Sequence, residues 1–191
     1  MTSMDLVVTR FDHPDARKLN DAVQAEYAAR YESEGDLTPL APEMFDPPHG
    51  IYLIAYDPLG RPVATGGWRA RGAADGENYR DGDAEIKRMY VVPEARGLGL
   101  ARLILARLED DARRAGRVRV VLETGIAQPE AMNLYASSGY LMLPRAEHFG
   151  VYRHAPDSRC YGKPLSPGDE APGRAPDEAP GRASDRAAGQ R

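Results

Sequence analysis

The chain has 191 residues, 42% of them hydrophobic and 28% charged, with a formal net charge of −4. That length holds one domain with a proper core and is short for two, and the mixed, slightly acidic balance argues against a nucleic-acid-binding surface. A single cysteine, Cys160, excludes an internal disulfide framework, and no apolar run is long enough to cross a bilayer, so a cytoplasmic, soluble protein is expected.

In chain order, Leu6–Phe11 alternates weakly and predicts a first strand. A helix should follow from about residue 15 to 33, capped by Asp12 before Pro14 and carrying Leu19, Val23, Tyr27 and Tyr31 as one stripe. Residues 36–49 are rich in proline and predict an irregular loop. Strands at 51–57 and 62–71 flank Pro58-Leu-Gly-Arg61, a hairpin signal, and a polar excursion at 72–82 precedes a strand from Glu85 to Val91. The next helix runs to about Ala115, with Glu109→Arg113 and Asp110→Arg114 as i,i+4 pairs and Gly116 as its stop. Residues 118–123 form a near-continuous apolar run, as a buried central strand does. A short helix at 129–138 and strands at 140–143 and 158–164 complete the pattern. From Ser166 onward nothing apolar recurs, and a tandem Asp-Glu-Ala-Pro-Gly-Arg-Ala at 169–175 and 177–183 predicts a disordered tail over 166–191.

The most informative stretch is Arg96-Gly-Leu-Gly-Leu-Ala101, between the Glu85 strand and the long helix. A glycine-rich corner opening into a helix leaves main-chain N–H groups unpaired at the positive end of the helix dipole, which favours an anion. Gly97 and Gly99 let the backbone approach a phosphate closely, and Arg96 adds positive charge. The dinucleotide fingerprint fails because Arg102 occupies its third glycine position, and no Gly-Lys-Ser/Thr follows to make a P-loop.

Arg96, Gly99 and Ala101 do satisfy Arg/Gln-x-x-Gly-x-Gly/Ala, which resembles the pyrophosphate loop of the GCN5-related N-acetyltransferase (GNAT) family. Gln128-Pro-Glu-Ala-Met-Asn-Leu-Tyr-Ala-Ser-Ser-Gly-Tyr140 is similar to the later signature of the same family. The resemblance implies an α/β fold over residues 1–165: a mixed, mostly antiparallel sheet of six or seven strands, splayed after the fourth and flanked by about four helices. It also implies acetyl-CoA as co-substrate, with no metal. The cofactor would be held by Met89, Tyr90, Val91, Arg96, Gly97, Leu98, Gly99, Leu100, Ala101, Gln128, Asn133 and Tyr135.

Transfer of acetyl to an amine needs a base for the ammonium, donors for the oxyanion and a proton for the departing thiolate. Glu85, eleven residues before Arg96, matches the register of the family's general-base glutamate. On an alternating strand it would share a face with Lys87, Met89 and Val91. Tyr135 matches the family tyrosine that points at the CoA sulfur, and a main-chain N–H near Met89 or Tyr90 would meet the oxyanion. Trp68, Tyr79, Phe149 and Tyr152 are candidates for an acceptor pocket, and the acidic run Glu32, Glu34 and Asp36 is either a lure for a cationic amine or a solvated face. The expected activity is N-acetyl transfer to a primary amine of a small molecule, protein or peptide. The alternative is a catalytically weak acyl-CoA-binding sensor of the same fold. Frequent dimers in the family leave a homodimer open, and no nucleic-acid or membrane partner is expected.

Overall fold

The structure, a computed structural model, describes residues 4–166; the expected tail past its first residue lies outside them. Seven strands form one sheet: β1 (Asp5–Thr9), β2 (Gly50–Tyr56), β3 (Pro62–Arg71), β4 (Asp83–Val91), β5 (Arg119–Gly125), β6 (Leu141–Met142) and β7 (Ser158–Pro164). Their spatial order is β1-β2-β3-β4-β5-β7-β6, antiparallel throughout except where β4 meets β5. Among the described residues three α-helices accompany it, α1 (Pro14–Tyr31), α2 (Leu100–Arg114) and α3 (Pro129–Ser137), against an expectation of about four. His13 rather than Asp12 caps α1, its Nδ1 accepting from the Asp15 amide.

The sheet is covered on both faces, which explains why β2 reads as continuously apolar rather than alternating. Ile51, Leu53 and Ala55 of β2 pack with Ile104, Leu105 and Leu108 of α2. Tyr52 and Ile54, one residue out of phase, pack instead with Ala16 and Leu19 of α1 and with Phe45. Each leucine or isoleucine buried this way contributes roughly 1.5–3 kcal/mol. Glu109 is not free to pair with Arg113 as expected: it turns inward, where Tyr140 donates to it at 2.9 Å and Lys163 lies at 2.7 Å. Asp110 takes both Arg113 and Arg114 instead.

Two local features of β4 position everything that follows. The parallel ladder with β5 holds only from Asp83–Arg119 to Glu85–Val121, after which the strands part. Its first rung is pinned by Arg119, whose Nε and Nη2 donate to the two carboxylate oxygens of buried Asp83 at 2.7 and 2.8 Å. Further along, Thr65 pairs with Tyr90 but Gly67 pairs with Lys87, so Arg88 and Met89 together oppose Gly66. This is a β-bulge, with Arg88 in the left-handed region at φ 58°. A Cβ on Gly66 would stand 2.4 Å from Met89 Sδ, so a larger residue there displaces the Met89 side chain.

The bulge overturns the expected alternation. Met89 and Val91 join Ile86 against the α2 core, whereas Glu85 and Lys87 stay on the α1 side, because one inserted residue inverts the side-chain phase of the strand.

The Asp83–Arg119 pair is the most testable of these supports. Asp83→Ala strands a guanidinium between two strands, and urea unfolding should show a loss of about 3 kcal/mol. Arg10→Ala, which breaks only exposed pairs to Asp12 and Asp46, should leave the urea midpoint essentially unchanged.

Candidate active site

Where β4 and β5 diverge, a cleft of about 1170 Å³ opens between them, walled by the second half of α1, the start of α2 and all of α3 facing it. The β5-facing edge of β4 past Glu85 has no ladder partner among the described residues, leaving strand backbone at Lys87–Tyr90 available to an extended ligand. Such an amide-bearing chain would complete the interrupted sheet.

One end of the cleft is main chain. Gly97 and Gly99 sit at φ 81° and 79°, with open space where a Cβ would be. Gly99 caps α2 with no side-chain hydrogen bond, and the first helical bond is the Leu103 amide to the Gly99 carbonyl. The amides at the start of α2 therefore face the cleft unsatisfied by any cap. Arg96 lies beside them, bonded to the Val91 carbonyl at 3.0 Å and to Glu26 at 2.6 Å. Arg102, which spoils the dinucleotide fingerprint, also lines the cleft and donates to Ser137 and Ser138. Of the residues expected to hold a cofactor, all but Leu98 line the cleft; Leu98 points to solvent, 62% exposed. Gln128 donates to the Tyr31 hydroxyl at 3.1 Å, so its amide supports the wall from α1.

Glu85 is not among the residues that line this cleft. It is 2% exposed, accepts from Arg69 Nε at 2.8 Å and from the Tyr79 hydroxyl at 2.9 Å, and has Lys87 Nζ at 3.7 Å. Its carboxylate oxygens are thus engaged by Arg69 and Tyr79, outside the cleft. Glu123 lies on the same face of the sheet two residues beyond the last β4–β5 rung, and it does line the cleft. Burial drives its carboxyl above the ordinary range, Lys87 and Ser158 oppose the shift, and Asp36 and Glu85 add to it. No Lys, Arg or His nitrogen stands within 4 Å of it among the described residues. Its only sequence signal was its place as the acid closing an apolar strand, a signal that fits a cofactor-ribose ligand equally well.

Tyr135, on α3, is buried against Tyr140 and Tyr161 and reaches the cleft. Burial first, and then the Glu123 charge, push its hydroxyl upward, so it is protonated throughout the neutral range. Tyr27 and Tyr31, half of the stripe expected on α1, are cleft wall rather than core, and a Cβ on Gly125 would collide with the Tyr31 ring. Of the four aromatic candidates only Tyr152 lines the cleft. Trp68 is fully buried with its indole N–H on Asp111, and Tyr79 and Phe149 pack together behind Glu85. Cys160 is buried beside them and its thiol is pushed up to about 11 by burial, which leaves no thiolate for nucleophilic work. No helix among the described residues is long and apolar enough to cross a membrane.

Comparison with known proteins agrees with this geometry. The acetyltransferase (GNAT) family model matches residues 16–140. An IAA acetyltransferase of Azospirillum brasilense is 43% identical over 84 residues, which is 44% of this chain and 53% of that protein, so the chain spans about half the length of this curated relative. A solved structure from Klebsiella pneumoniae, described as an acyl-CoA N-acyltransferase, superposes with a TM-score of 0.67 at 28% identity, covering 85% of this chain and 98% of that one. The N-acetylglutamate synthase of Neisseria gonorrhoeae, solved with coenzyme A and N-acetyl-glutamate, shares the fold at a TM-score of 0.59 and 17% identity, over 85% of this chain and 35% of its own. From the extent of the family match and the splayed sheet together, the chain belongs to the GNAT acetyltransferase family.

Proposed function

We propose that the protein transfers an acetyl group from acetyl-CoA directly to a primary amine, with Glu123 as base and Tyr135 as acid. The observation that carries this reading is the layout of the cleft. Uncapped amides at the start of α2 lie at one end, an unpaired strand edge runs along the middle, and a carboxyl with a raised pKa sits beside a protonated phenol at the apex. Those three features suit, in order, a diphosphate, the amides of a pantetheine arm, and the exchange of protons around a thioester. Acetyl-CoA supplies the activated acyl carbon and the thiolate leaving group.

Glu123 accepts one proton from the acceptor's ammonium, whose ordinary pKa of about 10.4 makes the free amine scarce at neutral pH. The amine nitrogen forms its bond to the carbonyl carbon while a strand amide at Met89 or Tyr90 donates to the oxygen. As the carbon–sulfur bond breaks, Tyr135 donates its proton to sulfur and is restored by the second proton leaving nitrogen. Overall, two protons leave the ammonium; one ends on the thiol and the other passes from Glu123 to solvent. Glu85 takes a structural part here, fixing Arg69, Tyr79 and Lys87 beneath the apex.

Thiol release from acetyl-CoA with a panel of primary amines tests the activity itself; a folded protein that binds CoA yet releases no thiol with any of them would make it a sensor instead. In that assay kcat/KM should fall on the acid side with an apparent pKa above the ordinary carboxylate range, since only ionised Glu123 can act. Glu123→Gln should remove that limb and lower kcat about 10²–10⁴-fold, whereas Glu85→Gln should keep the limb in place.

The same shift makes a stability statement. A carboxyl whose folded pKa exceeds its unfolded value favours folding at low pH, and that contribution is lost as pH rises through the folded pKa. Glu123→Gln should therefore raise Tm near pH 8, with the gain shrinking on acidification. Tyr135→Phe should slow turnover by about 10- to 100-fold and leave the CoA dissociation constant within about threefold.

A further inference from the structure

The β4–β5 ladder joins Asp83 to Arg119, Ala84 to Val120 and Glu85 to Val121, and the same offset would next bring Lys87 opposite Glu123 on the α1 face of the sheet. In a continuous ladder this lysine and glutamate would meet as a cross-strand ion pair. The strands part before that point, and the two charges stand more than 4 Å apart. Beside them lies a small cavity of about 10 Å³, lined in part by Glu123, Lys87, Glu85, Thr38, Tyr79 and Tyr152. That volume suits one water, and the carboxylates, ammonium and hydroxyls around it supply the partners a buried water needs.

The ammonium has capacity to spare. Lys87 is 8% exposed and brings three N–H donors into the apex. Thr38 Oγ1 accepts one at 3.2 Å, while oxygens of Asp36 and Glu85 stand off at 3.5 and 3.7 Å. Each of those carboxylates has a second cation, Arg88 at 3.4 Å from Asp36 and Arg69 at 2.8 Å from Glu85. Pairing these two off leaves Lys87 to Glu123. The surroundings of Glu123 fit that assignment. Burial works most strongly against its charge, Lys87 and then Ser158 support it, and Asp36 and Glu85 oppose it. Burial above all keeps the phenols of Tyr27, Tyr31, Tyr79, Tyr135 and Tyr152 and the Cys160 thiol protonated, so none of them adds charge at neutral pH. Of the remaining charges on the cleft lining, Arg88 is taken by Asp36 and Gln24, and Glu26 and Glu130 by Arg30. Glu34 is exposed and Asp157 half-buried.

We propose that Lys87 is a positioning residue for Glu123, a counter-charge held one buried water away that favours the ionised carboxylate without capturing it in a contact ion pair. This rests on the reading of Glu123 as base and deepens it. A contact pair would spend the carboxylate oxygens on the ammonium, and burial with no cation nearby would favour the neutral acid. The early end of the ladder avoids both: it opens the cleft for the cofactor and keeps Lys87 at a distance from which only its field and a bridging water reach Glu123.

The chain has three lysines, Lys18, Lys87 and Lys163, so the full chain carrying isotope-labelled lysine gives a distinct magnetic-resonance signal from Lys87, identified by its loss in Lys87→Arg. In the wild type that signal should shift with pH as Glu123 ionises, above the ordinary carboxylate range, and the step should vanish in Glu123→Gln. In the thiol-release assay Lys87→Met should move the acid limb of kcat/KM to higher pH by about one unit and keep the alkaline plateau within about threefold, and Lys87→Arg should return the limb to within about half a unit of the wild type. A lysine with only a structural part would lower the plateau and leave the limb where it was. A Lys87 signal that ignores Glu123→Gln, or a Glu123-dependent limb that Lys87→Met leaves in place, would overturn the proposal. A signal that follows Glu123 in a protein whose rates show no acid limb would uphold the coupling and remove Glu123 from the role of base.

Discussion

A three-rung parallel ladder holds the architecture of the site. β4 and β5 pair only from Asp83 to Glu85, with Asp83 and Arg119 locked at the first rung, and then separate. Had the ladder continued, the backbone of Lys87–Val91 would be spent on β5 and there would be no cleft. The bulge at Arg88 reinforces the divergence by twisting β4 and turning Met89 toward α2, a turn that Gly66 permits. The glycine corner at residues 96–99 then aims the start of α2 at the opening. Ladder, bulge and corner are sequential along one stretch of chain, so the cofactor end of the site is a local product of sequence in a way that the acceptor end is not.

That difference explains what could be read in advance. The Arg96–Ala101 corner was legible because glycine at positive φ and uncapped helix amides leave a mark in residue types at fixed spacing. The element order was legible through helix periodicity and turn residues, whereas Tyr135 was pointed to only by the family resemblance. The base was not. Glu85 and Glu123 are both glutamates on neighbouring strands and on the same face, and what distinguishes them is Arg69, sixteen positions before Glu85, and Tyr79, which engage one and leave the other. No spacing rule announces an ion pair across β3 and β4. The alternation of β4 failed because its bulge places a non-glycine residue, Arg88, in the left-handed region, where sequence carries no warning. Tyr27 and Tyr31 were legible as an apolar stripe, but whether such a stripe meets core or cleft depends on where the sheet splits.

Burying this much charge works against folding, and the structure shows how the cost is contained. Arg69 with Glu85, and Lys87 and Arg88 with Asp36, form hydrogen-bonded sets in which each guanidinium or ammonium has a carboxylate within 4 Å. Such sets contribute little net stability but are costly to break, so they fix geometry more than they add free energy. Glu123 stands outside them. It is a partly buried carboxyl of the apex with no cation within 4 Å among the described residues, and its upward shift suits the role of base we propose for it.

In the proposed complex, main-chain amides at residues 97–101 grip a diphosphate and the rest of the cleft is arranged around that anchor. Calorimetric titration of the full chain with CoA and with pantetheine, which has the same thiol arm and no diphosphate, addresses it directly. One CoA should bind per chain and pantetheine at least about 100-fold more weakly, as expected when an anchor supplies several charge-assisted hydrogen bonds. Equal affinity for the two compounds, or no heat of binding from CoA with well-folded protein, would contradict it.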